Sequence, residues 1–366
     1  MSPFFKGGFH LTSLYKDKLL ILCLRDKLTN SDPVARSRDT TEKGRRKPVS
    51  EGKIVITGGS GFIMSHVAER LAATGREIIL FDNNEQHSLG EETKLLLEEK
   101  KNVRFVQGDV RDKGAVEELI QGAEIVYHFA ALMGTSSRFK EWEVPTVEVN
   151  VIGTINVLQA SLKAGVKYFI HPPRPPLAVW MTPYIISKTA QTLFTQMYHH
   201  VYGLPTIGLN IQNCYGPRER PILNPNPMRP YEGRKLVASS IVAALQNEPL
   251  IVFGDGEQSS DFVYIDDVVE ACLKASRDSA GGQVLDIGTG VSTPVNRVVE
   301  LILELTHSRS KVQHLPLRTG EVKLQTKADP SSAGEFLGWE PKTELLEGLK
   351  KTIPYYVNLL GIQSPV

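Results

Sequence analysis

The stretch Lys53-Ile-Val-Ile-Thr-Gly-Gly-Ser-Gly-Phe-Ile-Met-Ser-His66 decides the fold. A short β-branched run enters Gly58, Gly59 and Gly61, and a helical run from Phe62 and Ile63 leaves them. Glycines at a strand-to-helix turn let the backbone bend tightly and come close to a pyrophosphate, which then sits on the helix N-terminus. Asp82 lies 21 residues beyond Gly61, where a second strand ends. A carboxylate there accepts hydrogen bonds from a ribose hydroxyl and repels a 2′-phosphate, so the expected cofactor is NAD rather than NADP. Met64 stands where the pattern has its third glycine, which serves close helix–strand packing. Methionine is flexible enough to fill such a space, with the helix expected to sit further out.

Working outward, β-branched runs alternate with helical segments, the βαβ rhythm of a parallel sheet. Strands are expected at Ile54–Thr57, Glu77–Phe81, Val103–Gln107, Ile125–Phe129, Tyr168–His171 and Thr206–Ile211. Helices are expected at Phe62–Thr74, Glu91–Lys100, Lys113–Ile120, Val147–Ala164 and Pro183–Val201. Gly75 and Gly165 follow two of these helices and suit a left-handed terminus. Six strands in this rhythm make a doubly wound α/β sheet. Gly108-Asp109-Val110 follows the third strand, where a backbone–carboxylate pair edges an adenine. Ala130-Ala131 follows the fourth, where small residues let a cofactor pass. Beyond Asn224–Arg229 the rhythm loosens into mixed elements, with helices at Leu236–Gln246, Ile265–Ala275, Pro294–Leu305 and Leu345–Leu359 and strands at Leu250–Phe253 and Val284–Ile287.

The 366 residues are 41% apolar and 23% charged, an ordinary globular composition. Lys and Arg total 42 and Asp and Glu 41, so the net charge of +1 gives no general argument for nucleic-acid or membrane binding. Cys23, Cys214 and Cys272 are too few and too far apart for a disulfide framework or a Cys-x-x-Cys metal knuckle, which favours a reducing cytoplasm. The early apolar run Leu19–Leu24 falls far short of the ~20 residues of a spanning helix. Residues 1–50 are expected to be a disordered tail, because Asn30–Ser50 is polar and dense in charge. The cluster Lys43, Arg45, Arg46 and Lys47 leaves open a localisation signal or an acidic partner. His199-His200 has no acidic or Cys partners at ligand spacing, so no metal is expected.

From Lys53 to Tyr356 the chain resembles the extended short-chain dehydrogenase/reductase family, in its NAD-dependent nucleotide-sugar epimerase/dehydratase branch. The match runs in order through Thr57–Ile63, Asp82, Gly108-Asp109-Val110, His128-Phe129-Ala130-Ala131, Asn150-x-x-Gly153-Thr154-x-Asn156 and Tyr184-x-x-x-Lys188. It continues through Asn213-x-Tyr215-Gly216-Pro217-Arg218, Gly254-Asp255-Gly256, Asp261–Asp267 and Leu337-Gly338-Trp339. The resemblance implies a Rossmann domain over 51–215 and a small C-terminal α/β lobe, mainly 216–366, that holds a UDP- or dTDP-linked hexose. It also implies a homodimer formed through the helices at Val147–Ala164 and Pro183–Val201.

Tyr184 and Lys188 are four apart and so share a helix face. The resemblance makes Tyr184 the acid/base, with its pKa lowered by the Lys188 ammonium, and gives Lys188 a second role on the nicotinamide ribose. A catalytic Ser or Thr is expected just after the fifth strand. Here that strand runs into His171-Pro-Pro-Arg-Pro-Pro176, Arg174 falls at the Ser/Thr position, and no hydroxyl occurs in 171–181. Ser136 and Ser137 are the stand-ins. Ser260 and Asn210 occupy positions where the family usually has Arg, leaving Asn213 to bind the sugar nucleotide and Arg318 to clamp its diphosphate; a surface salt bridge is the other reading of Arg318. The implied reaction is epimerisation through a transient keto sugar. Two alternatives stay open: a catalytically impaired protein that binds NAD or a nucleotide sugar, and a dehydratase or decarboxylase of the same family. Dehydration fits less well, because no Asp-Glu pair follows a catalytic Thr.

Overall fold

Seven parallel strands form the central sheet of the computed structural model, in the order β10-β6-β5-β4-β1-β2-β3. The structure describes residues 52–84, 97–133, 139–174, 181–221, 235–276, 281–318 and 321–362, all within one compact unit of residues 50–366. The expected tail, Ser136 and Ser137, and most of the expected helix at Glu91–Lys100 lie outside them.

The strands are β1 (Lys53–Thr57), β2 (Ile78–Asp82), β3 (Val103–Gln107), β4 (Ala123–His128), β5 (Tyr168–His171), β6 (Thr206–Ile211) and β10 (Val284–Ile287). From β1 the chain builds β2 and β3 on one side, then returns to lay down β4, β5 and β6 on the other. This reversal opens a crevice at the carboxyl ends of β1 and β4, where ligands bind in such sheets. β1 and β2 are almost wholly buried runs of Ile, Val and Leu, as a sheet covered on both faces requires. The six expected strands become seven. β10 arrives from the C-terminal half and pairs with β6, from Val284 opposite Gly208 to Ile287 opposite Ile211.

Helices α1 (Phe62–Ala72), α2 (Lys113–Ile120), α3 (Phe139–Val147), α4 (Thr154–Ala164) and α5 (Pro183–Tyr202) flank the sheet. The segment read as one helix over Val147–Ala164 differs: it starts at Phe139 and passes through a π-helical stretch, Glu148–Gly153, before α4. The wider turn accompanies a close approach, since a Cβ on Gly153 would lie 2.5 Å from Val110 Cγ2. α5 begins at Pro183, because Thr182 caps it: Thr182 Oγ1 accepts the Ile185 N–H at 3.1 Å.

Smaller sheets extend the C-terminal half. β7 (Asn213–Tyr215), β9 (Ser259–Tyr264) and β11 (Ser292–Pro294) form one, and β8 (Leu250–Phe253) with β12 (Val312–Leu315) forms another. The helices there are α6 (Leu236–Leu245), α7 (Ile265–Ala275), α8 (Val295–Thr306), α9 (Ser331–Leu337) and α10 (Leu345–Leu360). Asp266 and Asp267 lie in the first turn of α7, where carboxylates suit the helix dipole. Asp267 also ties the motif tryptophan in: its carbonyl accepts Trp339 Nε1–H at 2.8 Å, and its carboxylate accepts the Thr343 amide at 2.9 Å. Among the described residues no helix is long and apolar enough to cross a membrane.

Candidate active site

The glycine turn is built for close approach. Gly58 has φ +70°, and a Cβ there would stand 2.6 Å from Ala130 N and 2.7 Å from Phe129 C. Only glycine takes this conformation without strain. Gly61 is the N-cap of α1 and offers no side chain to the helix, so the amides of Phe62 and Ile63 head a helix without a side-chain cap. Such a terminus suits a phosphate. Met64 is buried at 1% exposure in the main core. Asp82, at the end of β2, accepts the Ser60 amide at 3.1 Å and the Asn84 amide at 2.9 Å. These bonds hold the carboxylate beside the turn, as a ribose site requires. The residues present therefore fit a dinucleotide.

At the end of β3, Asp109 is engaged by the protein itself. Arg111 grips it through Nε at 3.0 Å and Nη2 at 2.7 Å, and Asn83 donates at 3.2 Å. The Arg111 hydrogen bond leads the causes that hold its pKa below the usual carboxylate value. Val110 is buried, and its carbonyl accepts from Asn156 at 3.0 Å. Ala130 and Ala131 are half-buried at the mouth of the crevice, and the Ala130 amide donates to Thr57 Oγ1 at 3.4 Å.

His128, fully buried at the end of β4, is the hub of a polar chain. Thr154 Oγ1 donates to Asn150 O at 2.7 Å, so across its 2.8 Å contact with His128 Nε2 it must accept. His128 Nδ1 then accepts from Thr57 Oγ1 at 2.7 Å. Burial, with the Lys188 charge, pushes the imidazole down to about 3, so it stays neutral. Asn150, in the π-helical stretch, accepts the Leu132 amide at 2.7 Å and donates to Leu132 O at 3.1 Å and Ser187 Oγ at 2.9 Å. Ser187 donates to Tyr184 O at 2.9 Å. A continuous set of bonds thus locks the start of α5 to the loop after β4. The motif Asn150-x-x-Gly153-Thr154 marked this lock in the sequence; its partners Ser187 and Leu132 carried no signal.

Tyr184 is half-buried and Lys188 fully buried on one face of α5. Burial raises the Tyr184 phenol, while the Arg174 guanidinium opposes that rise. Burial, aided by Arg174, brings Lys188 down to about 7. The Lys188 ammonium donates to Gln191 Oε1. Its charge is felt by His128 and His171, at the carboxyl ends of β4 and β5, so the lysine stands at the crevice. Among the described residues no Ser or Thr hydroxyl bonds the Tyr184 phenol.

The residues expected at the substrate come from different elements: β6, β7 and the segment after β12. Asn213 is exposed at the start of β7. Arg318 forms a two-pronged pair with Glu321, at 2.8 and 2.7 Å, and its guanidinium lies 4.8 Å over the Phe253 ring. A diphosphate would have to compete with that carboxylate. Asn210 donates to Asp286 at 2.7 Å across the β6–β10 pair and serves the sheet edge.

The family model of the NAD dependent epimerase/dehydratase family matches residues 54–172 and 174–288. Among similar proteins, a UDP-N-acetyl-alpha-D-glucosaminuronate decarboxylase of Bacillus cytotoxicus is 30% identical, over 83% of this chain and 97% of its own. A UDP-glucose 4-epimerase of Mycolicibacterium smegmatis is 29% identical, over 84% and 99%. The crystal structure of a UDP-glucose 4-epimerase with UDP-glucose from Thermotoga maritima superposes with a TM-score of 0.75 at 32% identity, covering 84% of this chain and 99% of that one. A UDP-glucuronic acid 4-epimerase from Bacillus cereus, in complex with UDP-glucuronic acid and NAD, superposes at 0.74 with 25% identity, covering 84% and 99%.

Proposed function

Because the chain belongs to the NAD-dependent epimerase/dehydratase family, we propose that it inverts a carbinol centre of a UDP- or dTDP-linked sugar, using bound NAD. Bound NAD would supply the hydride acceptor for the carbinol carbon and the hydride source for its return to the opposite face. Tyr184 Oη takes the hydroxyl proton as the carbonyl forms and gives it back when the alcohol is restored. Gly58 and Gly61 admit the pyrophosphate, the amides of Phe62 and Ile63 bind it, and Asp82 accepts the adenosine ribose. Asp109 and Val110 border the adenine, Ala130 and Ala131 line the path, and Lys188 holds the nicotinamide ribose. The sugar nucleotide lies against the 216–366 lobe, with Asn213 and Arg318 at its polar end.

The observation that supports this reading is the glycine turn after β1, with His128 beside it bonded to Thr57 and sensing the Lys188 charge. Purified protein incubated with NAD and UDP-glucose, UDP-glucuronate or dTDP-glucose should yield the epimeric sugar nucleotide by NMR. Binding of both ligands with no interconversion would sink the enzyme reading. The lack of a Ser or Thr hydroxyl on Tyr184 among the described residues favours one second reading, a protein that binds these ligands without turnover.

The dimer belongs to the same proposal. Val144, Val147 and Ile152 expose apolar surface before α4, and Ile186, Leu193 and Val201 do so along α5. Two such faces from two copies would cover each other. Cys214 and Cys272 are free thiols, which suits a reducing cytoplasm.

A further inference from the structure

The connection leaving β5 reads His171-Pro172-Pro173-Arg174. The two prolines donate no amide hydrogen and keep the chain extended. Arg174 is the first residue to dock: its amide donates to Thr192 Oγ1 at 3.1 Å, and that hydroxyl donates to Lys188 O at 2.8 Å. Tyr184, Lys188 and Thr192 follow one another at four-residue steps of about 6 Å along one helix face. The Arg174 main chain is therefore pinned to the face that carries the reactive pair. Its guanidinium acts electrostatically on both Tyr184 and Lys188. Among the described residues no carboxylate neutralises it.

The other groups facing this pair supply either no charge or one that burial weakens. His128 from β4 and His171 from β5 are held neutral by burial. Burial brings Lys188 down to about 7, and its ammonium donates to Gln191. Arginine alone keeps its charge at every working pH.

We infer that Arg174 supplies the permanent positive charge that stabilises the Tyr184 phenolate, at the position where the family places a hydroxyl. Arg174 does this through space, as an electrostatic positioning residue, and the inference rests on Tyr184 being the base of the proposed epimerase. The proton balance is unchanged: the sugar hydroxyl proton moves to Tyr184 Oη as hydride leaves for NAD, and both return.

The test uses the full chain with Arg174→Gln, Arg174→Lys and Tyr184→Phe. The phenolate of Tyr184 is titrated by ultraviolet difference spectroscopy, with Tyr184→Phe subtracted, and the pH dependence of kcat is measured with NAD and UDP-glucose or UDP-glucuronate. Losing a cation raises a phenol pKa. Arg174→Gln should therefore move the Tyr184 titration, and the limb where kcat rises with pH, upward by about one to two pH units. Arg174→Lys should recover most of that shift, and KM for the sugar should change less than kcat. An unmoved Tyr184 titration in Arg174→Gln overturns the inference. If the wild type binds NAD and sugar nucleotide without turnover, the epimerase reading fails while the titration still decides the role of Arg174. Should Arg174→Gln not fold, Arg174→Met keeps the aliphatic stem and is read the same way.

Discussion

Tyr184 sits between opposed influences: burial favours its neutral form, and the Arg174 guanidinium favours the phenolate. As the proposed proton acceptor, Tyr184 would contribute about 10²–10⁴-fold to rate. Tyr184→Phe should lower kcat by that order while leaving NAD affinity unchanged by calorimetry; unaltered turnover would remove the tyrosine from the mechanism. His128 tests the polar chain beneath the crevice. Its imidazole is held at about 3 in the folded protein, against about 6.5 when exposed. Between those values the unfolded chain binds a proton that the native state does not. Stability from this group is complete above about pH 6.5 and falls as pH drops towards 3, by at most about 1.4 kcal/mol per unit. His128→Gln should flatten the acid side of the stability profile, read as urea midpoints at about pH 7 and about pH 5. Equal acid losses in variant and wild type would count against it.

The turn between β1 and α1 depends on one backbone position. Gly58 has φ +70° and faces the Ala130 amide at a distance that leaves no room for a methyl group. Alanine there must push the end of β4 away from β1, and it adopts φ > 0 only with strain. Gly58→Ala should abolish NAD binding by calorimetry and lower the melting temperature. A variant that binds NAD normally would mean that the turn does not approach the cofactor. α5 illustrates the opposite dependence, on a side chain: Thr182 caps it and Pro183 opens it, so the helix start places Tyr184 one residue inside. Ser187 and Asn150 then fasten that first turn to the π-helical stretch. Tyr184 and Lys188 are thus positioned by a cap, a π-helical neighbour and two hydrogen bonds, one of them buried.

On the scale of the whole molecule, the apolar side chains left uncovered on α5 are the main feature without an intramolecular role. Leu193 is 61% exposed and Val201 65%, values that soluble surfaces reserve for scattered residues rather than a stripe. If two copies pair there, Leu193→Glu places a charge in the middle of the seam. Sedimentation should then show a monomer with unchanged far-ultraviolet circular dichroism. A wild-type monomer at micromolar concentration, or a Leu193→Glu dimer, would refute the pairing.

The residue order alone determined the strands β1 to β6, the glycine turn, Asp82 at its strand end and the Tyr184–Lys188 spacing. These depend on local periodicity and short-range turn chemistry, which a linear reading contains. Other features depended on tertiary structure, because they join residues far apart in the chain. Val284–Ile287 reads as a strand, but its place beside β6 is set by backbone hydrogen bonds to a partner more than 70 residues away. Arg318 reads as a phosphate clamp or a surface salt bridge, and only the fold brings the Phe253 ring, 65 residues away in the chain, beneath its guanidinium. Arg174 reads as a missing hydroxyl; in the fold its amide docks on Thr192 and its charge acts on the tyrosine. Charge acts through space, and only the folded chain sets that distance.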